Sequence, residues 1–444
     1  MKRLKNLLIS NAFNNAYSSI FSILIGLLFG FVVLLLSNPS QAADGFVIIL
    51  KGGFSTGAKG MGQVLYFATP LILTGLSVGF AFKTGLFNIG AAGQFIMGAF
   101  AAVYIGAKWT FLPAPWHWIA ALIGAALIGG LWALIPGLLK AYLNVHEVIS
   151  TIMMNYIGMY MANHLVKLYV FDSKKNLSMN VEPSAVLPKG GMDYVFYNHL
   201  GSAKDLSTVN CGIWIAIIIA IIMYIILNKT TFGYELKACG YNPHASKYAG
   251  INDKRNIVLS MVIAGMLAGL GGGLLYLSGA NGRRIKVVDV LAAEGFNGIP
   301  VALLGLSNPI GIIFSAIFIS YITQGGNYLQ TLDFVPEVID IIIACIIYFS
   351  AFALIFRSVL PKIVKFSKER KAAKSGDNGN SAGTQGADNK DGEVGSASAS
   401  DIRATADPQY QMPEDAALAV DNGLDSAAGT ADFAQAESTE EGDK

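Results

Sequence analysis

The chain has 444 residues, 53% of them hydrophobic and only 14% charged, with a mean hydropathy of +0.51; a soluble domain carries about 25% charged residues, so composition alone excludes an ordinary soluble globular protein. The formal charge of +2 conceals a division: from Ala372 to Lys444 there are 15 acidic and 4 basic residues, a net of −11, so the rest of the chain carries +13. Cys211, Cys239 and Cys345 are too few and too far apart for a disulfide framework or a zinc pattern, and they read as small packing residues.

The N-terminus, MKRLKNLL, leads into an apolar run over 17–37. No small-residue cleavage site closes a short apolar core within it, so it reads as a retained first span and not as a signal peptide. About 20 apolar residues cross a bilayer as a helix. The further runs of that kind are 62–82, 86–107, 116–139, 147–170, 212–228, 257–279, 310–326 and 335–356. Residues 287–306 are irregular, with Asp289, Glu294, Asn297 and Pro300 among the apolar residues.

Charge decides how to count that segment, because Lys and Arg collect in short cytoplasmic loops. Lys2, Arg3 and Lys5 place the N-terminus inside, and Arg357, Lys362, Lys365, Lys368, Arg370 and Lys371 place the end of the last span inside. Both ends inside requires an even number of crossings, and counting 287–306 gives ten. Lys83, Lys140 and the cluster Lys229, Lys237, Lys247, Lys254 and Arg255 then fall inside, and 171–211 falls outside. Arg283, Arg284 and Lys286 break the pattern, as three cations placed outside.

The expected fold is an all-α polytopic membrane protein of about ten transmembrane helices. Residues 1–16 form a cytoplasmic N-terminus. Residues 17–360 form the membrane domain, with a cytoplasmic loop at 229–256 and an outer segment at 171–211. Residues 361–444 are a basic juxtamembrane segment and an acidic tail. The tail buries too little apolar surface to offset its ordering entropy, so it is read as disordered and cytoplasmic.

Two spans are interrupted in similar ways. TGLFNIGAAGQFIMGAF, after Lys83, holds Gly85, Gly90, Gly93 and Gly98 with Asn88 and Gln94; the irregular span holds Glu294 to Pro300. Phe87-Asn88 and Phe296-Asn297 share a dipeptide followed by small residues. If spans two to five and seven to ten are repeats, they face opposite ways, as in inverted-repeat transporters. The glycines are equally explained by close helix packing. Amides in hydrocarbon are better explained by partners or a wet path, which makes Phe87, Asn88, Gln94, Phe296 and Asn297 the candidate path residues. Asn155, Asn163 and His164 add polar groups to the fifth span. Glu337 and Asp340 begin the last and read as interfacial carboxylates. No dense run of buried carboxylates marks an ion-coupled pump.

Catalytic chemistry is not expected. GGFSTGAK over 52–59 lacks the Gly-Lys-Ser/Thr ending of a phosphate-binding loop. His146-Glu147 has no second histidine one turn on, the five histidines are scattered, and no nucleophile elbow appears. No metal site is expected either.

GYNPHASKYAGI, residues 240–251, is a punctuated polar stretch in the longest cytoplasmic loop. Asn242 suits an N-cap, Pro243 the first helical position and Gly250 a left-handed stop, which predicts a two-turn helix over 244–249. Such a helix is too short to persist alone. Tyr241, Ala245 and Tyr248 share one face. That face either docks in a partner's groove or packs on the protein's own helices, and spacing alone supports both equally.

The same stretch resembles the cytoplasmic coupling helix of permease subunits of ABC importers for branched-chain amino acids, simple sugars and nucleosides. ATPLILTGL (68–76), KTGLFNIGAAGQ (83–94) and GFNGIPVALLG (295–305) agree with it and are similar to nucleoside-type more than to ribose permeases. The likeness covers residues 15–360 and leaves the acidic tail outside. It implies a type II importer-like fold with inverted repeats, in a bacterial plasma membrane with both termini cytoplasmic. It implies partners: an ABC ATPase subunit, a second homologous permease subunit and an extracytoplasmic substrate-binding lipoprotein, besides membrane lipid and without nucleic acid. ATP and magnesium would bind the ATPase, with no cofactor in this chain. Gly240, Tyr241, Asn242, Pro243, Ala245, Tyr248, Ala249 and Gly250 would be the coupling positions. The expected function is nucleoside import as the permease subunit. The alternatives are a simple-sugar ABC permease, an ion-coupled secondary transporter that an ionophore would stop, and a membrane scaffold acting through the acidic tail.

Overall fold

The computed structural model describes residues 11–200, 203–278 and 283–332, and a few positions between 334 and 349. The N-terminal basic residues, most of the 335–356 span, Glu337, Asp340, the basic juxtamembrane segment and the acidic tail lie outside the described residues.

What is described is mostly helical. In chain order the helices are α1 (Asn11–Ser37), α2 (Ala42–Lys51), α3 (Gly57–Lys83), α4 (Ala91–Lys108), α5 (Trp116–Leu143), α6 (Glu147–Tyr169), α7 (Gly212–Lys229), α8 (Thr231–Tyr241), α9 (Pro243–Tyr248), α10 (Asp253–Tyr276), α11 (Ala293–Phe296), α12 (Gly298–Leu304) and α13 (Pro309–Asn327). Six helical stretches among the described residues are long and apolar enough to cross a membrane, so the chain is a multi-pass membrane protein. They run 42–83, 91–108, 116–143, 212–229, 253–276 and 309–332.

The expected spans 17–37 and 147–170 form helices, α1 and α6, that are not among these six, and two further expected spans take a different form. The span expected over 86–107 becomes helical only at Ala91, because the residues after Lys83 leave the helix through Gly85 at φ +74°. The irregular segment expected over 287–306 forms no single long helix. It is built of two short helices, α11 and α12, that abut at Asn297.

α10 lies at the centre, packed along α5, α4 and α3. Glycine makes this possible: a methyl on Gly98 of α4 would lie 2.7 Å from the Gly269 carbonyl oxygen, and one on Gly129 of α5 would lie 2.8 Å from the Gly269 Cα. Three helices therefore meet nearly backbone to backbone. Such contact supplies dispersion energy where the hydrophobic effect between spans is absent. Around this seam Leu73, Leu76, Leu267, Leu274 and Ile312 form the buried apolar core.

The bundle has two dissimilar ends. One carries the 229–256 loop with α8 and α9. The other carries residues 170–211, which form two short hairpins, β1 (Phe171–Asp172) with β2 (Leu177–Ser178), and β3 (Tyr197–Leu200) with β4 (Ala203–Leu206). Backbone bonds tie this segment to the helix ends: Glu182 N–H to Gly106 (2.8 Å), Leu187 N–H to Leu277 (3.0 Å) and Ser178 N–H to Ile285 (2.9 Å).

The cations that break the charge pattern sit at this capped end, and two of them have local counter-charges. Arg283 pairs with Glu294 and lies over the Phe67 ring, 4.9 Å from its centroid. Arg284 lies 3.9 Å from an Asp172 oxygen. Local pairing reduces the net charge that these loop residues present.

Candidate functional site

At the loop end, Thr230 caps α8 by accepting from the Gly233 N–H (3.1 Å), and α8 buries Leu236 and Cys239 against the bundle. Gly240 and Tyr241 close α8, and Asn242 then turns the chain in an extended conformation. Its side-chain oxygen accepts from the Ala245 N–H at 3.0 Å, with Pro243 at the first helical position of α9. α9 spans Pro243–Tyr248, one residue earlier at each end than the spacing predicts, because Pro243 itself is helical and Ala249 is already the cap.

The stop is a Schellman motif: Ile251 N–H bonds the Ser246 carbonyl and Gly250 N–H that of Lys247, each at 3.0 Å, with Gly250 at φ +79°. Only Ser246 of α9 is buried. Tyr241 is 89% exposed, Tyr248 is 96% exposed, and Pro243, Ala245 and Ala249 are exposed with them. The shared face therefore does not pack on this chain's own described helices.

The loop meets the first interrupted segment backbone to backbone at Gly240. A methyl on Gly240 would lie 2.6 Å from the Thr84 carbonyl carbon and 2.7 Å from the Gly85 nitrogen. Beside this contact the Thr84 and Ser260 hydroxyls hydrogen-bond, joining the end of α3 to α10. Asn256 of α10 donates to Cys239 Sγ at 3.5 Å, joining α10 to α8.

Deeper in the bundle, Phe87 stacks on Phe82 with centroids 5.0 Å apart. Asn88 and Gln94 are both fully buried and form a reciprocal amide pair at 2.9 and 3.1 Å; Asn88 also donates to Ser77 at 3.3 Å. Asn155 of α6 clamps the same segment, accepting from the Gly93 N–H (2.8 Å) and donating to the Ile89 carbonyl (3.0 Å). Two backbone groups at the break thus find a side-chain partner.

The second interruption lies against the first. A methyl on Gly295 would come 2.7 Å from the Ala92 nitrogen, and one on Gly298 would come 2.7 Å from the Thr74 carbonyl. Phe296 and Asn297 are half-buried, and the Asn297 side chain has no hydrogen-bond partner among the described residues. The predicted path residues are therefore brought together in space, with Asn88 and Gln94 facing one another. The sequence reading missed the Gly85–Gly240 contact and the Thr84–Ser260 bond. Neither leaves a signal in a single sequence.

At the capped end a cavity of about 550 Å³ opens between α4, α6 and residues 283–294, lined by Ile96, Met159, Asn163, Tyr276, Arg283 and Glu294. Asn163 donates across its edge to the Val288 carbonyl (2.9 Å) and to Asp289 (3.0 Å).

Residues 60–351 match the family described as the permease component of the branched-chain amino acid transport system. The guanosine ABC transporter permease protein NupP of Bacillus subtilis is 40% identical over 337 residues, covering 76% of this chain and 93% of that protein. The nucleoside ABC transporter permease protein NupB of Lactococcus lactis is 37% identical over 343 residues, covering 75% and 91%. The glucose ABC transporter permease protein TsgB13 of Haloferax volcanii is 28% identical over 303 residues, covering 66% and 76%. No solved structure matches. A capped helix standing free at one end, interrupted spans meeting inside, and a family match over most of the membrane domain agree: the chain belongs to the ABC-transporter permease family of the branched-chain amino acid type.

Proposed function

We propose that this chain is the membrane-spanning permease subunit of an ATP-driven importer that carries nucleosides across the plasma membrane. The observation that carries this reading is near-full-length likeness to two permeases named for guanosine and nucleosides. The weaker likeness to a glucose permease supports a simple sugar as the second reading. A sugar ring and a nucleoside offer the same hydroxyls to a polar path.

In this reading the membrane domain spans 17–360 with ten crossings arranged as inverted repeats. The 229–256 loop and both termini face the cytoplasm, and the 171–211 cap faces out. A partner ATPase binds ATP and magnesium and seats Tyr241, Ala245 and Tyr248 in a groove, which their exposure supports. A second permease subunit completes the pore, and an extracytoplasmic binding lipoprotein delivers the cargo to the cap. ATPase closure moves α9. Gly240 then displaces Gly85, and the interrupted segment carries the motion to the amide pair and to α6.

Uptake of labelled uridine, adenosine and ribose, in cells lacking the chain and in cells with it restored, tests this. Loss and rescue of nucleoside uptake alone is expected. Loss of ribose uptake alone would replace the nucleoside by a sugar. Tyr248→Ala is expected to insert normally and to reduce uptake; full uptake in that variant would remove the docking role.

A further inference from the structure

The helices of this bundle expose two chemically different kinds of surface. α5 exposes Ile123, Leu127, Leu131, Ile135 and Leu138, and α7 exposes Trp214, Ile218, Ile221, Ile222 and Ile225. Both faces are apolar along their length and suit lipid. α6 is 23 residues long, enough to cross, yet it is not among the helices apolar enough to do so on composition. Its exposed face carries Met153, Tyr156, Tyr160 and His164 at spacings of one helical turn, beside the apolar Ile149, Ile157, Met161 and Leu168.

Depth makes this stripe unsuited to lipid. Counted from Glu147 at about 1.5 Å per residue, Tyr156, Tyr160 and His164 lie about 14, 20 and 26 Å along the axis. Tyrosines belong to the interfacial belts at the bilayer surfaces. Tyr169 at the helix end fits such a belt, and Tyr156 and Tyr160 near the middle do not. Tyr156 is 50% and Tyr160 57% exposed, and none of the three polar groups has a hydrogen-bond partner among the described residues. Polar side chains at that depth face a cavity or a polar partner.

The stripe is also unsuited to a tightly packed neighbouring helix. Such contacts use small residues. All the small residues in the middle of α6 (Ser150, Thr151, Gly158 and Ala162) turn inward, while the outward positions carry long or aromatic side chains. Aromatic rings with polar edges, beside the soft thioethers of Met153 and Met161, suit a small flat ligand that is held briefly. Base stacking tolerates any base, because every base has a π-face, and methionine adapts to many shapes. The opposite face of α6 holds the interrupted segment through Asn155, so the stripe stands on a helix tied to the moving part.

We propose that the exposed face of α6 is the wall that cargo touches during passage, with Tyr156 and Tyr160 stacking on the nucleobase and His164 hydrogen-bonding the nucleoside. This rests on the nucleoside reading. The test uses the full chain in cells carrying the whole importer, with Tyr156→Cys, Tyr160→Cys and, as lipid-face controls, Leu131→Cys and Ile218→Cys. A membrane-impermeant maleimide is applied with and without excess guanosine, and the unsubstituted chain gives the background from its own cysteines.

Labelling at 156 and 160 that guanosine suppresses, with none at 131 or 218, is expected. Tyr160→Ala should lower guanosine uptake roughly tenfold, the scale of one lost base–aromatic stack, while Tyr160→Phe keeps most of it. No labelling at either tyrosine position, or cross-linking of both to a second permease subunit, would overturn the proposal. Labelling that ribose suppresses and guanosine does not would overturn the base-stacking role and the nucleoside reading together, while still identifying a wet wall.

Discussion

The two interrupted segments share a Phe-Asn dipeptide and are held by different physics. In the first, directional bonds do the holding: Asn88 and Gln94 satisfy each other, and Asn155 takes up Gly93 N–H and the Ile89 carbonyl. In the second, the Phe-Asn break itself is held by shape: Gly295 and Gly298 lie flat on the backbones of Ala92 and Thr74, and Asn297 is left half-buried without a partner among the described residues, the polar bonds of that segment lying to either side, at Val288, Asp289, Glu294 and Val301. A hydrogen-bonded latch can open and reclose in one geometry. A steric fit slides or jams. The same dipeptide therefore marks an interruption without fixing what its asparagine does there.

Substitutions separate the two modes. The largest effect is expected from Gly295→Val, whose new side chain meets Ala92 backbone that cannot turn aside. Overpacking of that kind costs about 1–3 kcal/mol and occasionally more. The measurement is the amount of monodisperse protein recovered from membranes by size-exclusion chromatography, and near-normal recovery would mean that the second interruption is not a steric fit. Asn155→Ala comes next, because it leaves a buried donor and a buried acceptor unpaired, at about 2 kcal/mol. A lowered thermal midpoint in detergent should report it.

Asn88→Ala should cost about 1–2 kcal/mol by stranding Gln94, and the double change to Asn88→Ala and Gln94→Leu should recover part of that loss. A double-mutant cycle on thermal midpoints measures the coupling, and strict additivity would deny the latch. The smallest stability effect is expected from Asn297→Ala, within about 0.5 kcal/mol, since no bond is lost. If that change destabilises as much as Asn88→Ala, the two segments are alike after all.

Much of the local structure was readable in the sequence. Asn242, Pro243 and Gly250 each impose a backbone preference on their own position, so α9 and its stop followed directly. The apolar runs located the long helices because a bilayer sets their length. The interruption after Lys83 was visible in Gly85, Asn88 and Gly90, although not the residue where the helix resumes, since Ala91 and Ala92 are helix formers on either reading. The asparagines of α6 were visible as polar, but not their direction: Asn155 and Asn163 turn inward, while His164 turns out. Direction depends on which neighbours surround a helix, and a single sequence does not record them. Pairings between distant residues, such as Thr84 with Ser260, depend on the bundle having assembled.

The meeting of Gly85 and Gly240 has a mechanical consequence. A joint built from side chains has rotamers, and each rotamer is slack, because a push is first absorbed as a χ rotation. Two glycines have no χ angle to absorb it, and here backbone rests on backbone. The joint therefore holds no side-chain slack between residue 240 and residue 85.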